Sequence, residues 1–211
     1  MKKIFLILLS FVLFAFISCG SSKVEEKSTQ KDWISFSEEN SNQNFGYFYT
    51  SDELGRFSSL EVEFKKDSGF ESSCFGLIFG YSKTENGILS NYVRFEINTL
   101  GEYALYTWDG SNFSDLIDLS AKNTAYLTEN ASISKGYGSI NKLKIEVDSE
   151  NRYSCFINDS KIASSIIPFE NTDYSAMAFF SVGKSDEENF PDSPVQVSYR
   201  LINSAAYTSE K

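Results

Sequence analysis

The chain is predicted to fold as an all-β sandwich. Three observations carry this. Apolar residues recur at every second position in several segments, turn-forming residues separate those segments at short intervals, and no stretch between them has the apolar spacing of an amphipathic helix. At 211 residues the chain is long enough to build one hydrophobic core without disulfide staples, and a single monomeric domain is the expectation.

The elements begin with an address. Lys2 and Lys3 precede an apolar run from Ile4 to Ile17, interrupted only by Ser10 and closed by Ser18-Cys19. A cationic start, an apolar stretch and a small residue directly before a cysteine are the order of a bacterial lipoprotein signal. The run is shorter than the ~20 residues a membrane-spanning helix needs. Phe16 departs from that pattern, standing where bacterial lipoproteins usually carry leucine. Residues 1–18 are therefore expected to be removed, and the Cys19 thiol to carry the lipid that ties the chain to a membrane. Residues 19–31 are polar apart from Cys19 and Val24 and read as a flexible tether. No acidic residue follows Cys19 directly, which resembles the enteric sorting pattern for the outer membrane. The expected location is the extracytoplasmic cell envelope.

Residues 32–204 are the predicted sandwich, with 205–211 as a tail. Leu60, Val62 and Phe64 alternate with Glu61, Glu63 and Lys65. Val93, Phe95 and Ile97 alternate with Tyr92, Arg94 and Glu96. Leu143, Ile145 and Val147 alternate with Lys142, Lys144 and Glu146, and Val195, Val197, Tyr199 and Leu201 with Gln196, Ser198 and Arg200. Each is a strand with one dry and one wet face. Cys74 to Tyr81 and Met177 to Val182 are apolar on both sides, which suits strands covered on both faces. Turn residues at Glu85-Asn86-Gly87, Asn98 to Gly101, Asp109 to Asn112, Ser149 to Asn151 and Asn158 to Ser160 separate them. Residues 186–194 read as a charged, proline-bearing loop, and the pair Glu25-Glu26 and the run Asp186-Glu187-Glu188 as solvated.

Composition removes several function classes. There is no histidine, which excludes Ser-His-Asp and Cys-His catalysis, histidine-dependent zinc sites and histidine pH switching. The formal charge is −10, becoming −12 once Lys2 and Lys3 leave with the signal, and such a surface repels phosphate backbones, so no nucleic-acid partner is expected. Besides Cys19 there are Cys74 and Cys155, which in an exported protein are either bridged or two small buried thiols. No cofactor is expected.

Several blocks, in serial order, resemble one family. They are Gly76-Leu77-Ile78-Phe79, Asn91-Tyr92-Val93-Arg94-Phe95-Glu96-Ile97, Gly101-Glu102-Tyr103-Ala104-Leu105, Asn141-Lys142-Leu143-Lys144-Ile145 and Phe156-Ile157-Asn158-Asp159-Ser160-Lys161-Ile162. Together they are similar to bacterial concanavalin A-like lectin/glucanase sandwiches, including laminin-G-like modules and keto-disaccharide hydrolase-like domains. The resemblance spans Leu60 to Leu201 and implies a two-sheet antiparallel jelly roll. Asp159 departs from it, standing where the family carries glycine, a place aspartate also tolerates.

Such folds host lectins, hydrolases and spacers alike, so candidate sites are weighed one by one. Glu146-Val147-Asp148-Ser149-Glu150 resembles the carboxylate spacing of the laminarinase-like branch, but Ser149 to Asn151 reads as a turn that takes Glu150 off the strand, leaving solvated hairpin charges and no catalytic residue. Asp109, Asn112 and Asp115 offer oxygen ligands, yet fit no established calcium loop and match hairpin chemistry, so no metal is expected. Lys135-Gly136-Tyr137-Gly138 lacks phosphate-loop spacing and reads as a turn. Tyr92, Arg94, Glu96, Tyr106 and Trp108 share the strand face opposite Val93, Phe95, Ile97, Tyr103 and Leu105. If that face is open it offers aromatics for sugar stacking and a charged pair for hydroxyls; the competing reading is cross-strand packing, with Arg94 paired to Glu61, Glu63 or Glu96. The leading expectation is a non-catalytic, envelope-anchored module that binds carbohydrate or another extracytoplasmic ligand. A glycoside-cleaving enzyme and a structural spacer are the alternatives.

Overall fold

The computed structural model describes residues 32–39, 47–117, 127–166, 175–182 and 193–205. The signal, the tether, the charged loop over residues 186–192 and the tail beyond Ala205 lie outside the described residues. Strands form two antiparallel sheets, and no α-helix occurs among the described residues. The six-stranded sheet runs in the order β1 (Ile34–Glu38), β13 (Val195–Ala205), β3 (Ser59–Ser68), β9 (Asn141–Val147), β10 (Tyr153–Ile157) and β11 (Ser160–Ile166). The seven-stranded sheet runs β2 (Tyr47–Arg56), β12 (Ser175–Val182), β4 (Phe75–Lys83), β5 (Leu89–Ile97), β6 (Glu102–Trp108) and β7 (Phe113–Asp115), with β8 (Thr128–Glu129) pairing β6. The last strands, β12 and β13, each lie between the edge strand of their sheet and a third strand, and chain neighbours such as β3 and β4 lie in opposite sheets. This is the jelly-roll arrangement expected from the resemblance.

Alternation decides which sheet face is dry. Leu60, Val62 and Phe64 of β3 pack with Leu143 and Ile145 of β9, and across the sandwich with Phe75, Leu77 and Phe79 of β4 and Val93, Phe95 and Ile97 of β5. Burying each large side chain stabilises the fold by about 2–3 kcal/mol. The outer face of the six-stranded sheet is wet and charged in a cross-strand ladder. Arg200 Nη2 lies 2.6 Å from Glu63, Lys144 3.7 Å from Glu61, and the Arg200 guanidinium stacks 4.6 Å above Trp33. Such exposed pairs contribute only about 0–1 kcal/mol each.

The strand read as apolar on both sides is so because both faces are covered. Phe75, Leu77 and Phe79 enter the core between the sheets, whereas Ile78 joins Tyr81, Tyr92, Met177 and Phe179 in a second cluster on the outer face of the seven-stranded sheet.

One polar knot ties the loop before β9 to the β10–β11 hairpin. Buried Asn141 accepts the Ser134 N–H (2.8 Å) and the Asn158 amide (2.8 Å), and donates to the Ser134 carbonyl (2.9 Å). Asn158, at φ +46, also accepts the Lys142 N–H, and Asp159 follows at φ +69. Two successive positive φ values are what a two-residue hairpin turn demands, and Asp159 adopts the second of them without glycine. Asn141→Ala strands buried donors and acceptors together, and is expected to cost about 2–3 kcal/mol in urea denaturation. A loss under about 0.5 kcal/mol would show that water replaces the amide.

Candidate functional site

Directly opposed residues of antiparallel strands point to the same side, so register lays out the outer face of the seven-stranded sheet. Tyr92, Trp108 and Phe113 form one row across β5, β6 and β7. Met177, Ile78, Arg94, Tyr106 and Asp115 form the next, across β12, β4, β5, β6 and β7. Glu96 lies one pair further along β5, opposite Ala104. The five ligand-face residues named from sequence are therefore neighbours in space.

They do not form the open face that stacking on Tyr92 and Tyr106 would need. Tyr92, Glu96 and Tyr106 are buried, and only Trp108 of the five keeps a half-exposed edge among the aromatics. The physical reason is ring packing from strands whose contribution the linear sequence hides. Phe48 of β2 meets Tyr92 edge-on at 6.2 Å and Phe179 of β12 at 6.0 Å. Phe113 of β7 meets Tyr106 edge-on at 5.1 Å and Trp108 at 4.4 Å.

Inside this ring cage sits an ion pair. Arg94 Nε donates to Glu96 Oε2, and Arg94 Nη2 donates to Ser181 Oγ at 2.6 Å. The guanidinium lies 4.3 Å from the Phe179 ring centroid, 5.1 Å from Phe48 and 5.8 Å from Tyr106, geometry in which cation–π attraction replaces lost water. The two side chains are 12% and 2% exposed. Glu61 and Glu63, the other partners considered, belong to the opposite sheet. Burial pushes the Glu96 carboxyl above its ordinary range, and Arg94 and the Cys74 thiol pull against that shift. Burial is the largest single influence on Arg94 and would lower its value; the charge of Glu96, joined by Tyr106, Cys74 and Tyr92, outweighs it and raises it.

Of the two alternatives the sequence left open for Cys74 and Cys155, the structure has the buried free thiols. Cys155 points from β10 into the core between the sheets, whereas Cys74 precedes β4 and lies against Glu96 and the Ser72 carbonyl (3.6 Å). Burial pushes both thiols up, Cys74 with help from the Glu96 charge, so neither offers a thiolate nucleophile.

Next to Cys74 is a group that sequence reading passed over. Lys66 continues the inward register of Leu60, Val62 and Phe64, yet is only 1% exposed. Its ammonium donates to the Phe70 carbonyl and to the Ser73 carbonyl (2.8 Å), pinning the loop that carries Cys74 into β4. The signal was available: a lysine in the inward phase of a strand must find buried acceptors.

The remaining candidates resolve into turn chemistry. Asp148 Oδ1 accepts the N–H groups of Glu150 (2.8 Å) and Arg152 (3.0 Å), so the Glu146–Glu150 string closes the β9–β10 hairpin and lies on the sheet away from the Arg94 cage. Asp109 Oδ1 accepts the N–H groups of Ser111 (2.8 Å) and Asn112 (2.7 Å), and Asp115 Oδ1 that of Ile117 (2.6 Å). No group of three acidic or thiol ligands able to hold a metal occurs among the described residues. Gly136 and Gly138 adopt φ +90 and +73 in a loop whose Tyr137 hydroxyl donates to the Gly69 carbonyl, a turn as expected.

Comparison with known proteins bears on the fold. No family profile and no curated protein sequence matches the chain. Among solved structures, it is similar to an endo-acting O-glycanase of prominent members of the human gut microbiota, described as initiating mucin breakdown, with TM-score 0.52, 8% identity, and coverage of 84% of this chain and 81% of that one. It also resembles the carbohydrate-binding module CBM66 from Bacillus subtilis (TM-score 0.47, 10% identity, 82% of this chain and 95% of that one). The Bacillus licheniformis beta-glucanase is a further match (TM-score 0.48, 7% identity, 83% of this chain and 92% of that one). What the likeness to the O-glycanase shows is the fold alone, a two-sheet antiparallel jelly-roll sandwich.

Proposed function

We propose that the chain is a lipid-anchored, extracytoplasmic glycan-binding module that does not itself cleave glycans. The observation that carries the binding reading is the Trp108–Phe113 pair: Phe113 is 57% exposed, and its ring centroid lies 4.4 Å from that of a half-buried tryptophan. The two adjoining rings, inclined at 42° to each other at the rim of a sheet, give an angled apolar surface against which the C–H face of a sugar ring can pack, with the buried Tyr92 and Tyr106 behind them. The O-glycanase of similar fold acts on glycans, and the same ligand class is proposed here. Hydrolysis needs two carboxylates facing a cleft ~5–10 Å apart. Glu96 is locked to Arg94 out of water and Asp115 caps a backbone N–H, so neither is poised as acid or nucleophile. The anchoring part rests on the order Lys2-Lys3, Ile4 to Ile17 and Ser18-Cys19, with the lack of an acidic residue after Cys19 favouring the outer membrane.

The test is a glycan-array screen of the full-length chain in mild detergent, followed by titration through tryptophan fluorescence. Saturable binding is expected, weakened by about tenfold or more in Trp108→Ala. Absence of binding and of hydrolysis across the array would sink the reading and leave a spacer, and release of reducing sugar would favour the hydrolase. Cys19→Ser is expected to move the protein from the membrane and detergent phase to the aqueous phase; unchanged partitioning would remove the lipid anchor.

A further inference from the structure

The charges around the Trp108–Phe113 pair carry the proposed function one step further, to the class of glycan. We infer that this platform takes uncharged sugar residues and turns away sulfated and carboxylated ones; the inference rests on the binding reading above.

Recognition of an anionic sugar requires a cation or a set of unspent N–H donors at the contact surface. The arginine of this face cannot serve. Arg94 is neutralised by Glu96, donates to Ser181, and is sealed under Phe48 and Phe179. Lys83, at the far side of the second cluster beside Tyr81, is held 2.6 Å from Glu53. The turn that joins Trp108 to Phe113 could have offered backbone amides, but the Ser111 and Asn112 N–H groups already donate to Asp109 Oδ1. Those same bonds hold the Asp109 carboxyl below its ordinary range, so it stays ionised at neutral pH. The platform is thus bounded by two carboxylates, Asp109 inside the turn and Asp115 at the end of β7, on a chain of formal charge −10. An approaching sulfate or uronate meets like charge and, among the described residues, none of these cations or backbone amides is left to compensate it, whereas a neutral ring stacks through its C–H face with its hydroxyls still in water.

The test uses the full-length chain in detergent against matched pairs of oligosaccharides. Cellotetraose, laminaritetraose and N-acetyllactosamine are each titrated beside their O-sulfated or C6-oxidised counterparts, at low and at physiological salt. Every neutral sugar that binds is expected to bind about fivefold or more tighter than its anionic counterpart at low salt, with the gap closing as salt screens the carboxylates. Asp109→Asn keeps the oxygen that caps the turn and removes one charge, and should narrow the ratio by about two- to threefold. Anionic counterparts bound as tightly as, or more tightly than, the neutral sugars, in a manner sensitive to Trp108→Ala, would overturn the selectivity and leave the platform standing. An unchanged ratio in Asp109→Asn would overturn its electrostatic origin. Silence across all pairs, or binding indifferent to Trp108→Ala, would remove the platform and the inference together.

Discussion

Arg94→Met is expected to destabilise the fold by about 3–5 kcal/mol, because it leaves the Glu96 carboxylate buried without its counter-charge. The double replacement Arg94→Met/Glu96→Leu should recover most of that loss, since an apolar pair suits a cage already lined by Phe48, Phe179 and Tyr106. The single variant should also acquire a pH dependence. With Arg94 gone, the Glu96 value in the fold lies further above its unfolded value, so the folded chain holds a proton that the unfolded chain has released. Stability is then fullest below the unfolded carboxylate value and falls as pH rises through the folded one. Urea denaturation of the parent, the single and the double variants between about pH 4 and 8 reads all three expectations. A single-variant loss below about 1 kcal/mol would mean that water reaches the pair.

Lys66 should make the protein gain stability on the alkaline side of neutrality. Burial lowers its ammonium from 10.5 to about 8, although the nearby Cys74 and Glu71 pull the other way. Below about pH 8 the lysine is charged in both states, and the fold bears the cost of keeping an ammonium from water. Between about 8 and 10.5 the unfolded chain binds a proton that the folded chain has shed, so stability rises with pH. The gap between the two values corresponds to about 3 kcal/mol. Other groups titrate in the same interval, so the decisive quantity is the stability difference between the parent and Lys66→Met. That difference should move in the parent's favour by about this amount from pH 7 to above pH 10. A flat difference would mean that the ammonium is solvated. At every pH the variant also forfeits the bonds to the Phe70 and Ser73 carbonyls, which is a constant offset and not a slope.

The sandwich was legible because strand formation with one dry face leaves a period of two, and β3, β5, β9 and β13 lie where that period runs. Turn chemistry was legible for the same local reason: Asp109, Asp148 and Asn158 bond to backbone within a few residues or across one hairpin. The site was legible only in part. Periodicity put Tyr92, Arg94, Glu96, Tyr106 and Trp108 on one face, and one of the partners weighed for Arg94, Glu96, is the one observed. Whether that face was open did not follow, since it depends on Phe48 and Phe179 from strands β2 and β12, about 40 or more residues away in sequence. The cysteines show the same limit. Pairing them requires knowing which way each thiol faces: Cys155 lies in the core between the sheets, whereas Cys74 lies against Glu96 and the Ser72 carbonyl.

By itself the sequence determined the all-β class, the strand phases, the hairpin turns and the absence of histidine chemistry, because each depends on residue type and on neighbours a few positions away. Only the tertiary structure decided that the Arg94–Glu96 pair is caged, that Lys66 is buried on two carbonyls, and that of the aromatics Tyr92, Tyr106 and Trp108 only Trp108 stays partly exposed, beside Phe113. Those outcomes turn on which side chains from distant strands cover which charge, and desolvation is a property of packed layers that no local pattern of residues encodes.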